Sequence, residues 1–316
     1  MAALVCDICG GKLVMGAGGI AVCDSCGMEH SADRMKEKVQ EITGTVRVDN
    51  THMITNYLGL AASALKAGNN EEAENYANKI LEIDPRSDKA WFYKGKAVGW
   101  ESSLQNFRFM EVALCFANAV NSTNEASKRN MINDVLNEFQ KLTSAMVKTR
   151  CNRFVKWPDQ KESEGFCTDL QKVSEALDLY TNMTGMTINR NEVFSNVTVI
   201  VVDSITSVYS GKITPDFIIN FGRKAYGTFV ERIGYCVRIL EKAADLCDDD
   251  ETLDAYVYKT IITLLESVIE SNCTDFVADQ FGAYKETPRL SNSEVQTIQS
   301  KINELRSKIS NTKGAN

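Results

Sequence analysis

Apolar residues recur at intervals of three or four along most of this chain, which is the spacing of one face of an α-helix. Within residues 125–150, Met131, Val135, Phe139, Leu142 and Met146 fall on one such stripe. The same spacing, read with helix-starting and helix-breaking residues, predicts further helices near 165–184, near 190–210, from Pro215 to Cys247, from Asp250 to Asn272 and from Ser291 to Ile309. Glu286-Thr287-Pro288-Arg289 predicts a turn before the last of these helices. The pattern therefore predicts a mainly α-helical body.

The segment 194–208 fits two interpretations. Its many β-branched side chains are typical of a strand. A helix is favoured, because apolar residues also keep to one helical face, namely Phe194, Val197, Val201, Ile205 and Val208. The most apolar run, Val197–Val202, contains Thr198 and ends at Asp203, far short of the roughly eighteen residues that a membrane helix needs.

The last predicted helix carries a narrow apolar stripe. Its members are Val295, Ile298, Ile302, Leu305 and Ile309. Spacing of this kind suits docking onto the body or pairing with a second copy of the chain. Docking is favoured, and a homo-oligomer formed through Ser291–Ile309 is the alternative.

From Ile54 the pattern becomes that of helical hairpins with small residues where the helices cross. Gly68-Asn69-Asn70 indicates a turn, and Pro85 ends the second helix because proline cannot continue one. One period later Trp91 takes the position of Tyr57 and Gly95 that of Ala61. This arrangement resembles a tetratricopeptide repeat of about 34 residues. Helical hairpins without repeat ancestry are the alternative.

The second helix of the second repeat is displaced in this register by about six residues. Glu111-Val112-Ala113, Ala117 and Val120 then occupy its positions. The intervening segment 101–109 is either an extension of the first helix or an inserted loop.

The amino end follows a different pattern. Two pairs, Cys6-x-x-Cys9 and Cys23-x-x-Cys26, have the spacing of a tetrahedral zinc site. Short β-prone runs at 12–15 and 20–22 predict a hairpin between the pairs. So small a unit has almost no hydrophobic core, so we expect structural Zn²⁺ to supply most of its folding free energy. Four cysteine ligands would fill the coordination sphere of the ion, so catalysis at the metal is not expected.

The residues beside the cysteines refine this prediction. Gly10 and Gly27 each follow the second cysteine of a pair, where positive φ would turn backbone N–H groups toward the thiolates. His30 follows the last cysteine by four residues and is an alternative ligand, although a polar loop histidine is favoured. Ser31 is a candidate N-cap of a helix that ends at Gly44, and His52 is assigned no role.

The order of these features is similar to that of a loose group of bacterial zinc-ribbon proteins. The resemblance covers about residues 4–120: a zinc ribbon, a short charged helix, a Gly-Thr-Val-x-Val segment and tetratricopeptide-like helices. It implies an all-α body behind the ribbon, and interaction rather than catalysis, but it supplies no activity. The predicted domains are a zinc ribbon at 1–30, a linker helix and short extended segment at 31–52, tetratricopeptide-like repeats at 53–150 and a C-terminal helical domain at 160–316.

The polar segment 157–165, which contains Pro158, is the predicted boundary between the last two domains. The pattern leaves open whether residues 160–316 form their own domain or continue the helical stack.

Composition narrows the classes of partner. The chain has 35 Lys and Arg against 42 Asp and Glu, a net charge of −7, and no segment is strongly basic, which weighs against phosphate-backbone binding. We expect no signal peptide, because the apolar run Met1–Val5 is too short. The six cysteines outside the two pairs are scattered, as buried thiols are in a reducing compartment, so a cytoplasmic protein is predicted.

The leading functional hypothesis is a non-catalytic adaptor or scaffold that binds a protein or peptide in a groove along its first helices. By the repeat register, the groove carries Leu58, Ala62, Leu65, Lys89, Phe92, Lys96 and Trp100. We name Lys89, Phe92, Lys96 and Trp100 the groove residues, because two aromatic rings beside two lysines could hold an extended peptide with a carboxylate. The alternative is that Phe92 and Trp100 pack against the following helices.

A nucleic-acid- or transcription-associated zinc ribbon is the second hypothesis. The predicted hairpin tip, 14–20, has no Arg or Lys, which argues against phosphate contacts. An enzyme is the third. The chain has no Gly-rich phosphate loop, no His-Glu-x-x-His and no Gly-x-Ser-x-Gly, and the acidic run 248–251 is better explained as a solvated loop before a helix.

Overall fold

The computed structural model describes residues 5–6, 8–16, 20–30, 50–186, 188–213, 222–247, 250–278 and 280–313. It divides into two compact units, Met1–His52 and Met53–Asn316, which we name the four-cysteine unit and the helical unit. A small antiparallel sheet followed by helices confirms the predicted mainly α fold class. The helix predicted to begin at Ser31, and the extended segment after it, lie outside the described residues.

The four-cysteine unit is built on three short antiparallel strands, in the order β1 (Leu13–Met15), β2 (Ala21–Cys23) and β3 (Glu29–His30). Leu13 pairs with Cys23, and Ala21 pairs with His30. Since side chains alternate across a strand, these four point to one face, where all of them are buried. The first two strands confirm the predicted hairpin, and the third was not predicted.

The helical unit begins with α1 (Thr51–Ala67), α2 (Asn70–Ile83), α3 (Asp88–Glu101) and α4 (Phe109–Ser122). Gly68, with φ of 79°, makes the predicted turn between the first two. Small residues allow close contact: an ideal Cβ on Gly95 would lie 2.5 Å from the Phe116 ring. Residues 102–108 form a loop, so of the two alternatives for segment 101–109 the inserted loop is correct.

The next two helices, α5 (Glu125–Lys156) and α6 (Gln160–Thr184), are separated by three residues. Their cores are nevertheless continuous. The Phe139 ring on α5 lies 5.1 Å from the Phe116 ring on α4 and 5.8 Å from the Tyr180 ring on α6. Within segment 157–165 only residues 157–159 interrupt the helices, and buried residues on both sides of them belong to one cluster.

The ambiguous segment 194–208 is helical, within α7 (Arg190–Lys212), as favoured. Among the described helices, α7 is the one whose length and composition would allow it to cross a membrane. Val197, Val201 and Ile205 are completely buried in the core of the helical unit. The apolar character of α7 is thus accounted for by the burial of one of its faces in this core.

Two further helices follow, α8 (Gly222–Ala244) and α9 (Glu251–Glu270). The start predicted at Pro215 lies outside the described residues. The side chain of Asp250 caps α9 by accepting hydrogen bonds from the backbone N–H groups of Thr252 and Leu253. This agrees with the acidic run being the approach to a helix.

The turn predicted at Glu286–Arg289 is wrong. The strands β4 (Thr274–Ala278) and β5 (Tyr284–Pro288) form an antiparallel hairpin that includes most of this segment. The turn of the hairpin lies earlier in the chain, around Gly282, which has a φ of 80°. Pro288 ends its strand, a position that proline tolerates because no further ladder N–H is needed there.

The last helix, α10 (Asn292–Lys313), packs on α9. Ser291 and Glu294 form a capping box: the Ser291 hydroxyl accepts from the Glu294 N–H, and the Glu294 carboxylate accepts from the Ser291 N–H. Ile302 and Leu305 from the predicted stripe are buried in the main core. The stripe therefore packs within the chain, which is the favoured alternative.

Candidate metal centre

The two cysteine pairs form two turns with the same hydrogen bonds. In the first, the N–H of Gly10 donates to the carbonyl of Cys6 at 2.9 Å; in the second, Gly27 donates to Cys23 at 3.0 Å. Both glycines adopt positive φ, 74° and 68°, as predicted. An L-residue with a side chain rarely takes this conformation, so glycine is what allows each turn to close.

The two turns bring all four sulfur atoms together. The Sγ atoms of Cys6, Cys9, Cys23 and Cys26 lie within 4.8 Å of one another. Cys6 Sγ lies 3.8 Å from Cys26 Sγ, and Cys9 Sγ lies 3.4 Å from Cys23 Sγ. A tetrahedron with Zn–S bonds of about 2.3 Å has edges of about 3.8 Å. The sulfur positions therefore fit a single tetrahedral ion.

Backbone N–H groups favour the thiolate form of the first cysteine in each pair. The pKa of Cys6 is lowered to about 7, chiefly because the N–H groups of Ile8 and Cys9 donate to its sulfur. The equivalent N–H groups of the second pair, first that of Cys26, lower the pKa of Cys23 to about 7. These are the two buried sulfurs of the set.

The neighbouring sulfurs have the opposite effect on the exposed thiol of Cys9. The N–H of Gly11 lowers its pKa, but the side chains of Cys26 and Cys23 outweigh that contribution and raise the pKa to about 12. Several thiolates this close repel one another, and a divalent cation between them removes the repulsion. The donor set thus fits a metal ion chemically as well as geometrically.

The structure gives His30 a role that the sequence did not suggest. It is buried on β3, and its Nε2 lies 3.4 Å from Cys6 Sγ. A thiolate can only accept, so in this contact Nε2–H donates to the sulfur. His30 is therefore not the polar loop histidine that was favoured. It lies outside the four-sulfur cluster and bonds one of its candidate ligands, Cys6.

Four cysteine sulfurs that could bind a metal ion are thus the chemically distinctive feature of the described residues. No protein-family model matches the chain, and no curated protein is significantly similar to it in sequence. The assignment of chemistry therefore depends on the donor atoms themselves.

The other six cysteines lie in the helical unit. Burial raises the pKa of Cys115 and Cys236 to about 12 and that of Cys151 to about 11. Thiols of this kind are poor nucleophiles and behave as small apolar side chains, as predicted. None of the ten cysteines, all of which lie among the described residues, forms a disulfide.

The predicted groove residues lie together along α3. Lys89 is exposed near its start, whereas Phe92 is half-buried, with its ring 5.7 Å from that of Phe116. The Nζ of Lys96 lies 5.5 Å from the centre of the Phe92 ring. Phe92 thus packs against the next helix, which is the alternative recognised from the sequence.

Trp100 and Lys96 converge on Glu138 of α5, a residue that the sequence did not single out. The indole Nε1–H of Trp100 donates to Glu138 Oε1 at 2.8 Å, and Lys96 Nζ lies 3.3 Å from Oε2. Lys141 Nζ lies 3.7 Å from the same oxygen. A buried carboxylate requires such partners, and this one holds the indole in place while 44% of Trp100 remains exposed.

Proposed function

We propose that this chain is a non-catalytic, zinc-binding adaptor that works in the cytoplasm. The observation that supports it most strongly is the convergence of four cysteine sulfurs within 4.8 Å of one another. Four thiolates fill a tetrahedral coordination sphere and leave no position for water or substrate. An ion enclosed in this way stabilises a fold and does not activate a reactant.

Zn²⁺ is the metal we propose among those that accept sulfur ligands. A tetrahedral set of four thiolates suits zinc or iron. Zinc has no redox chemistry, and structural zinc sites with four cysteines are closed in the way this one is. His30 would hold the Cys6 sulfur in position for the ion without entering its coordination sphere.

The cytoplasmic location is supported by the thiols. Six of the ten cysteines lie outside the four-sulfur cluster of the described residues and form no disulfide, whereas proteins of oxidising compartments generally pair such residues. A reducing compartment would also keep the four ligand sulfurs available for a metal.

Protein partners are supported by the surface of the chain. In the four-cysteine unit Ile8, Val14 and Met15 are more than half exposed, while Lys12 is the one basic residue between residues 5 and 30. Exposed apolar side chains with so few cations favour a protein over a nucleic acid as the partner. The helical hairpins formed by α1 to α4, with Trp100 exposed at the end of α3, are the proposed second contact surface, in the manner of tetratricopeptide-like repeats.

The metal is tested by native mass spectrometry and elemental analysis of the full chain. One zinc per chain is expected, and Cys6→Ser should lose it while Cys273→Ser, which changes a half-buried cysteine of the helical unit, should keep it. A bound iron would overturn the choice of metal. A chain that carries no metal, or a Cys6→Ser chain that binds it normally, would overturn the site.

The partner surface is tested by capture of binding proteins with the full chain, compared with Phe92→Ala and Trp100→Ala. Trp157→Ala is the matched control, since Trp157 is also exposed but lies on the connection after α5. We expect Trp100→Ala to lose the partners and Trp157→Ala to keep them. Partners unchanged in both groove variants would remove the groove hypothesis. A binding constant that falls steeply with salt would point to nucleic acid instead.

A further inference from the structure

A pocket with a volume of about 230 Å³ lies beside Trp100. The end of α3, the loop 102–108 and one face of α5 form its walls, with Phe107, Leu142 and Met146 among the lining side chains. Neither the repeat register nor the predicted groove residues pointed to this pocket, apart from Trp100 at its edge.

The loop wall of the pocket is held in place by the chain's own hydrogen bonds. Ser103 N–H donates to the Asn106 carbonyl at 3.0 Å, and Arg108 N–H donates to Ser102 Oγ at 2.9 Å. The Arg108 guanidinium also bonds three carboxylates, those of Glu74, Glu101 and Glu111. A ligand would therefore enter a preformed site and would not have to order the loop.

The chemistry of the walls is apolar. No lining side chain is charged, and the hydroxyls already have partners: Thr149 Oγ1, for example, donates to the Ala145 carbonyl at 3.0 Å. A charged ligand would lose its hydration here without gaining a counter-ion. The pocket therefore selects an uncharged, apolar group.

The size of the pocket limits that group to about one ring. An apolar cavity of about 150 Å³ is known to bind benzene, whereas sites for whole drug-sized ligands occupy about 300–1,000 Å³. At about 230 Å³ this pocket suits a phenyl or indole group. The lining residue Trp100 is bonded to Glu138, which also pairs with Lys96 and Lys141, so a polar cluster adjoins the pocket on the Trp100 side. An apolar centre bordered by polar groups is the arrangement that anchors one bulky side chain of a protein partner.

We propose that this pocket binds a single Phe, Trp or Leu side chain from a protein partner of the adaptor. The proposal rests on the proposed function and deepens it, because it moves the specific contact from the exposed face of α3 to the pocket beside Trp100. Phe107 and Met146 would contact the inserted ring, and the Trp100 indole, fixed by Glu138, would cover one side of it.

The test uses the full chain with ¹³C-labelled methionine methyl groups, in which Met146 is assigned by comparison with Met146→Leu. Benzene and N-acetylphenylalanine amide are the probes, and N-acetylglutamate amide is the charged control. The two apolar probes should shift the Met146 methyl signal saturably, and the glutamate derivative should not. Peptides selected from a displayed library should contain an aromatic residue or leucine whose change to alanine lowers affinity at least tenfold.

Two variants block the pocket. Ala145→Phe fills it from α5, and Thr149→Phe does so from an exposed position at its mouth, where folding should tolerate the ring. Both should reduce probe and peptide binding at least tenfold, while Ala126→Phe, at an exposed position on the same helix, should not.

Binding that survives both blocking variants would overturn the proposal, as would a Met146 signal that no probe shifts. Binding of benzene without any peptide would show that the occupant is a free small molecule, which also contradicts it. If the pocket fails while the chain keeps its zinc and its Trp100-dependent partners, the adaptor function stands without this contact.

Discussion

In the four-cysteine unit the buried apolar cluster consists of Cys6, Leu13, Ala21 and Cys23, and two of its four members are proposed metal ligands. In the helical unit one continuous cluster extends from Val98 on α3 to Leu305 on α10. The described residues of the first unit have almost no apolar area to remove from water, whereas those of the second have enough to fold on that basis.

This difference indicates which force stabilises each unit. Burial of apolar surface contributes about 25 cal/mol per Å², so a cluster of four small side chains cannot offset the conformational entropy of the chain around it. A metal ion bound by four thiolates can offset this entropy. The unfolded chain has no preformed site, so the free energy of metal binding contributes to the free energy of folding. The two units should therefore respond to different perturbations.

The largest expected effect is that of removing a ligand. Cys6→Ser should abolish the ordered structure of the four-cysteine unit, because three thiolates leave the ion incompletely bound and the small core cannot compensate. The amide chemical-shift dispersion of residues 5–30 should collapse while that of the helical unit is retained. Cys273→Ser should leave both unchanged. An ordered four-cysteine unit in Cys6→Ser would break the comparison.

The opposite perturbation is a cavity in the helical core. Phe139 is completely buried between Phe116 and Tyr180, so Phe139→Ala should lower the free energy of unfolding by about 3–5 kcal/mol. Metal content should not change. Denaturant unfolding measures the first and elemental analysis the second. Trp157→Ala, at an exposed position, should alter stability by less than about 0.5 kcal/mol. Loss of metal in Phe139→Ala would show that the units are not independent.

Substitutions at two helical glycines should change the stability of the helical unit in opposite directions. A Cβ on Gly95 would lie 2.5 Å from the Phe116 ring, so Gly95→Ala should destabilise the helical unit by about 1–3 kcal/mol. Gly59 on α1 has open space around it, so Gly59→Ala should stabilise by about 0.5–1 kcal/mol. Thermal unfolding of both variants tests this, and equal effects in the same direction would contradict the close contact of α3 with α4.

A further prediction concerns His30, which bonds the sulfur of Cys6. His30→Ala removes the hydrogen bond to Cys6 Sγ and should weaken metal binding by roughly 10- to 100-fold without changing the stoichiometry. Competition with a chelator of known affinity measures the change. His52→Ala, which alters the other histidine of the chain at an exposed position, is the control. If the two variants bind equally well, His30 has no part in holding the site.

Local patterns were sufficient for the features that neighbouring residues determine. The Cys-x-x-Cys spacing predicted that the four cysteine sulfurs would lie together, and the glycines after Cys9 and Cys26 predicted the positive φ of both turns. The helical stripe on α7 correctly outweighed its β-branched composition, because burial on one face decides more than intrinsic preference does.

Contacts between distant residues were beyond prediction. His30 meets Cys6 across 24 positions, through a third strand only two residues long. Trp100 meets Glu138 across 38 positions, so nothing local marked that glutamate as a buried partner.

Proline was the other source of error. Pro288 led to the wrong prediction of a turn where the chain forms a strand. Pro158 lies in a break between α5 and α6 across which the buried cluster continues, and the domain boundary predicted there stays a prediction. A proline restricts the backbone conformation at its own position, but it does not indicate how the surrounding elements pack.

Hydrogen–deuterium exchange of the full chain, with and without a metal chelator, tests the central claim most directly. The account predicts that the chelator abolishes amide protection in residues 20–30, where the N–H of Cys23 is bonded to the Met28 carbonyl, and leaves protection in α5 and α7 unchanged. Protection of residues 20–30 that persists after the metal has been removed would contradict it.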